Sequence, residues 1–253
     1  MRTLPRVIGV AVAVAAAFVL IAQGLGLVSL VPADDAKEPP PAHRLLPLTT
    51  PTALAALGPY AEGPEGIKMP DSEAVTGLTA EEVAQGYELA KKLLTVAHLD
   101  PGVLYEGETE PYARLLSAHQ RDQFRKGLSS DAAATTTRDE VTAFVPGTSQ
   151  KSEPIRVRGR AEPKADTVTG SDGKPYQGIL LKIDFEFVYP LSTGEVIEER
   201  QGEMFVTKGG GKGAKVEVWT GQWKGVVHGA TCETKDGFLH PGTPESLCTR
   251  PSA

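Results

Sequence analysis

Cys232 and Cys248 are the only two cysteines of the chain, and His228 and His240 lie close to them in sequence. Four such side chains could ligate zinc, but zinc sites gather their ligands in close pairs and these are widely spaced. In an oxidising compartment a cystine is the simpler chemistry. A bridge over a loop of about 15 residues restricts the unfolded chain and contributes about 3 kcal/mol. A disulfide between Cys232 and Cys248 is therefore expected, with zinc and free thiols as the alternatives.

For proton transfer the candidates are His119, Asp184 and Glu186. The two carboxylates alternate with an aromatic face, which places them on the solvated side with ordinary acidity. His119 borders an apolar helical stripe and reads as a core or boundary residue. No Gly-x-Ser-x-Gly or His-Glu-x-x-His pattern supplies a nucleophile or a metal-bound water. The run Gly209-Gly210-Gly211-Lys212-Gly213 resembles a phosphate loop superficially. It lacks the Gly-Lys-Ser/Thr ending and has strands, not a helix, on both sides, so it reads as a hairpin tip. Trp219 and Trp223 are four apart near the last strand and are expected to project to one face. With Tyr87 they are the aromatics that could line a ligand pocket or an interface, although core packing is their commoner use. No catalytic residue, metal or cofactor is expected.

The elements that must position these residues read as two helices followed by strands. Thr79-Ala80-Glu81-Glu82 has the form of a capping box, and Val83, Tyr87, Ala90, Leu94 and Ala97 then form one apolar helical stripe. Asp100-Pro101-Gly102 ends that helix, and a second is expected from Thr109 to about Lys126 with Pro111 in its first turn. The stretch from Ser129 to Phe144 is ambiguous between a short helix and a strand. Beyond Pro146 the period becomes two: Leu181, Ile183, Phe185, Phe187 and Tyr189 share one face. Further strands are expected over Val196–Thr207 and Lys215–His228, joined by Gly- and Pro-rich turns that favour an antiparallel meander.

Ahead of this domain lies a different composition. Arg2 and Arg6 precede a run from Val7 to Leu30 with no charge. As a helix, its roughly 24 residues would rise about 36 Å, enough to cross a hydrocarbon core of about 30 Å. A transmembrane signal-anchor over residues 1–32 is expected, with the remainder extracytoplasmic. The alternative is a cleaved signal ending near Val31-Pro32-Ala33 and a secreted product. Residues 33–78, rich in Pro and Gly, read as a semi-extended tether, 79–229 as the α+β domain, and 230–253 as a disulfide-pinned tail. The net charge is −6, and the two early arginines make the rest more acidic still. Such a surface repels phosphate backbones, so nucleic acid is not an expected partner. The chain contains no Asn and is rich in Ala, Gly and Pro, which suggests a GC-rich bacterial source.

Two helices followed by an antiparallel sheet, from Thr79 to Val227, resemble the order of elements in the nuclear transport factor 2-like superfamily. That resemblance implies a cone in which two or three helices pack on a curved four-stranded sheet. An anchored chain with such a domain outside is similar in layout to actinobacterial Mce-associated membrane proteins and to assembly subunits of conjugation and secretion machines. The anchor, the tether and the absence of a catalytic constellation point to a non-enzymatic binding or assembly module with envelope protein partners. A small-molecule pocket binder or enzyme is the alternative, and a deep pocket with a buried carboxylate or histidine would favour it.

Overall fold

A computed structural model describes residues 57–130, 134–170, 173–209, 213–232 and 236–250 of the chain. The N-terminal apolar run and most of the expected tether lie outside these residues. Among the described residues no helix is long and apolar enough to cross a membrane.

Helix α1 spans Ala80–Leu99 and starts as the sequence dictates. The Thr79 N–H donates to Glu82 Oε2 at 2.9 Å and the Glu82 N–H donates to Thr79 Oγ1 at 3.3 Å, which satisfies two free donors of the first turn. Its buried face carries the expected stripe and adds Gly86, Leu93 and His98. At Gly86 a β-carbon would collide with the Val206 side chain, so glycine is what lets the helix backbone rest on the sheet.

Asp100 ends α1 and immediately starts α2, Pro101–Glu106: its Oδ1 accepts the Val103 N–H at 3.1 Å, and Pro101 occupies a first-turn position that needs no donor. The second expected helix is broken into α3 (Glu110–Ala113) and α4 (Ala118–Leu128). The break is local chemistry. Ser117 accepts the Gln120 N–H as a new cap, and the Arg121 guanidinium donates to the carbonyls of Ala113 and Leu116 at 3.1 and 2.9 Å, bracing the turn between α3 and α4. The ambiguous stretch contains a short helix, α5, at Ala134–Arg138.

A six-stranded antiparallel sheet follows, in the order β1-β2-β3-β4-β5-β8. Its long strands are β2 (Arg156–Thr169), β3 (Pro175–Leu191), β4 (Gly194–Lys208) and β5 (Val216–His228). Short β1 (Ala61–Glu62) and β8 (Leu247–Arg250) lie at its two edges, and β6 (Ala230–Thr231) pairs separately with β7 (His240–Pro241). The fold is thus α+β with an antiparallel sheet, as read from the period. The Gly209–Gly213 run joins β4 to β5, and the Gly209 N–H donates to the Lys215 carbonyl across that hairpin.

Leu181, Ile183, Phe185, Phe187 and Tyr189 all lie in the main core with α1, while Val168, Tyr176, Leu180, Phe205 and Trp219 form a second cluster. Two readings are corrected here. Part of the stretch read as a tether belongs to the fold: Leu57 and Ile67 are buried, and β1 pairs with β2. The tryptophans do not share a face. Between the pairs Met204↔Thr220 and Gly202↔Trp223, β5 carries one residue more than β4. That bulge reverses the alternation, sending Trp219 to Tyr176 and Phe205 while Trp223 turns into the main core beside His98.

Candidate functional site

The helix-covered face of the sheet is not wholly apolar. His98, Thr142, Glu198, Arg200 and Arg250 are each at most 2% exposed, and Tyr189 is fully buried among them. They come from α1, the segment after α5, β4, β8 and β3. Inward alternation along β4 places Glu198 and Arg200 in line with Val196.

At the centre, Glu198 Oε2 accepts the hydroxyl protons of Thr142 and, at 3.1 Å, of Tyr189. With its proton directed there, Thr142 Oγ1 is left to accept from His98 Nδ1, at 2.7 Å, which fixes the imidazole tautomer. The other carboxylate oxygen, Oε1, accepts from Arg250 Nη1 at 3.1 Å. Arg250 also donates through Nε and Nη2 to Asp139 Oδ1, at 2.9 and 2.7 Å, and from Nη2 to the Val141 carbonyl at 3.1 Å. Arg200 Nη2 donates to the Asp139 carbonyl, and its Nε stands 3.8 Å from Glu198 Oε1.

Two guanidinium groups therefore face two carboxylates. Burial pushes the Glu198 carboxyl up, but the Arg200 and Arg250 guanidinium charges and the Thr142 hydroxyl outweigh it and hold the group below its ordinary range. Burial pushes the His98 imidazole down to about 3, so it stays neutral. A carboxylate this enclosed and this acidic is a poor base, and the neutral ring beside it has its Nδ1 proton directed at Thr142. The cluster's chemistry is cohesion: it ties the C-terminal strand to the core.

Beside it, the Tyr112 hydroxyl donates to Glu140 Oε2 at 3.2 Å, and burial pushes the Glu140 carboxyl up to about 7. Helix α4 covers this corner. Phe124 packs edge-on against Tyr112 at 5.3 Å, and the Gln120 amide donates to the Thr220 carbonyl at 2.9 Å and accepts its N–H at 3.4 Å, as a neighbouring strand would. Two glycines make room for the large side chains. Gly202 leaves space for the Trp223 indole, and Gly225 for Arg200. A β-carbon at Gly202 would stand 2.8 Å from Trp223 Cδ2, so Gly202→Ala should cost about 1–3 kcal/mol through overpacking, read as a lower urea midpoint with an altered near-ultraviolet tryptophan signal.

The residues singled out from sequence fall elsewhere. Cys232 and Cys248 stand in disulfide geometry, with Cα atoms 5.6 Å apart. Reducing that bond should lower stability by about 3 kcal/mol, measured as the difference between urea melts with and without dithiothreitol. His228 faces Glu199 at 3.6 Å and His240 faces Asp236 at 2.9 Å. Among the described residues no group of three or more His, Cys, Asp or Glu is placed to hold a metal ion.

Glu186 is a correction: it is buried, not solvated. The Arg158 guanidinium grips it through Nε and Nη2 at 3.1 and 3.0 Å, the Tyr60 hydroxyl donates to it, and Arg158 lies 4.5 Å over the Tyr60 ring. Tyr60 comes from the stretch read as tether, which is why the cover was not foreseen. Asp184 is half-buried, and burial raises its carboxyl above the ordinary range. Tyr87 and Trp223 are core residues, Trp219 belongs to the second cluster, and His119 Nε2 is buried without a hydrogen-bond partner. The central cluster brings together none of these except Trp223, whose indole packs near His98 and Arg200.

Two grooves flank α1. One, of about 340 Å³, is lined by Pro64, Val96, Leu99, Pro101 and Ile155 among others; the second, of about 400 Å³, by Glu88, Leu89, Lys91, Lys92 and Thr95. Neither contains a buried carboxylate or histidine. Compared with known family models, curated proteins and solved structures, the chain shows no match.

Proposed function

We propose that the chain is a non-enzymatic binding or assembly module of a bacterial cell envelope, anchored by its N-terminal apolar run and held outside the cytoplasm. In this reading the α+β domain is a cone of nuclear transport factor 2-like type, and its partners are envelope proteins. The observation that carries the proposal is the state of the interior. Glu198 and His98, a buried carboxylate and histidine that a pocket enzyme would need open to a substrate, are enclosed and engaged with Thr142, Tyr189 and Arg250. The cysteine pair in disulfide geometry supports an oxidising location.

The test has two parts. A reporter active only outside the cytoplasm, fused to the C-terminus, should be active, and a cytosol-only reporter silent; the reverse pattern refutes the topology. Crosslinking in intact cells should then return one specific envelope complex, and recovery of nothing above background counts against the assembly role.

A further inference from the structure

Arg250 lies close to the end of the chain, on the last strand of the described fold, yet its guanidinium is among the most enclosed groups in the molecule. The acceptors around it are Asp139 Oδ1, the Val141 carbonyl and Glu198 Oε1, all supplied by other elements. We propose that these three residues form a guanidinium-binding site, filled in cis by the C-terminal strand, that accepts an alkylguanidinium group when Arg250 is withdrawn.

Three observations carry this. First, the acceptors are held by groups other than Arg250. Thr142 and Tyr189 engage Glu198 Oε2 and leave Oε1 turned to the site, and Arg200 holds the Asp139 carbonyl. Second, the charge calls for a cation. Without Arg250, the Asp139 and Glu198 carboxylates face the single guanidinium of Arg200. Third, the acceptors suit a planar fork and not a point charge. One donor edge of Arg250 meets Asp139, while Nη1 on the far side reaches Glu198, a span a compact ammonium cannot bridge with the same bonds. The place beside the site suits an extended segment, because Arg250 pairs with Gly225 at the edge of β5. A partner using this site would therefore present arginine on an added strand.

The test uses the full chain carrying Arg250→Ala and thermal unfolding in millimolar ethylguanidinium, far below denaturing concentrations. The expected result is a saturable rise in Tm, with a half-saturating concentration about tenfold or more below that of ethylammonium. Wild type, its site occupied, should show no such rise. Equal responses to the two cations would reduce the site to a charge effect and overturn the proposal, as would no response from a variant that still unfolds cooperatively. If Arg250→Ala does not fold alone, refolding yield becomes the readout. Recovery with ethylguanidinium but not ethylammonium supports the site, and recovery with neither overturns it.

Discussion

Replacing Glu198 with alanine should lower the unfolding free energy at pH 7 by about 3–5 kcal/mol, because it leaves two buried guanidinium groups short of their shared carboxylate. The loss should appear as a drop in urea midpoint with the slope retained. The exposed pair Arg156–Glu195 is the control: although its atoms stand 2.6 Å apart, Glu195→Ala should change stability by less than about 1 kcal/mol, since water screens both partners. The sign with pH follows from the direction of the shift. Glu198 is held below its ordinary range, so its contribution is fully present above the unfolded carboxylate range. It is lost only as the pH falls through the depressed folded value.

Glu140→Gln should act in the opposite sense, stabilising the protein at pH 8 by up to about 3 kcal/mol while leaving it nearly unchanged at pH 4. The wild-type carboxyl is pushed up to about 7 by burial, so the folded state holds a proton that the unfolded state has already released. Its favourable contribution is complete below the ordinary carboxylate range and disappears as the pH rises through about 7. Glutamine keeps an oxygen for the Tyr112 hydroxyl and carries no charge to bury. The variant should also expose a slope that the wild type masks. His98, pushed down to about 3, contributes stability that is present above pH 6.5 and is lost as the pH falls toward 3. Over roughly pH 4.5–6.5 these two groups oppose each other in the wild type, and removing Glu140 should leave stability rising with pH. Chemical denaturation at intervals of half a pH unit would check both slopes.

Much of the architecture was legible because it rests on local rules. The Thr79 box, the stripe from Val83 to Ala97, and the alternation from Leu181 to Tyr189 each declare their element within a few residues. The central cluster was less legible. Glu198 and Arg200 fall at inward positions of β4, in step with Val196, so alternation is the one signal that could have found them, and it was not drawn from that strand. Their partners are set by tertiary contact: Asp139 follows α5, and Arg250 arrives from the far end of the chain. Trp223 was misplaced because a bulge adds one residue to β5, and period-two reasoning cannot count a residue that leaves the ladder. Glu186 was misplaced for a different reason: Tyr60, which donates to it, comes from a proline-rich stretch that lacks any periodic signal.

The most direct test is a double-mutant cycle between Glu198 and Arg250, using Glu198→Gln, Arg250→Met and the pair, with unfolding free energies measured in urea at pH 7. If the C-terminal strand is locked to the core through this buried pair, the double variant should be more stable than the sum of the single losses predicts, by about 2 kcal/mol or more. Losses that add to within about 0.5 kcal/mol would mean that the two groups are energetically independent, and would contradict the lock.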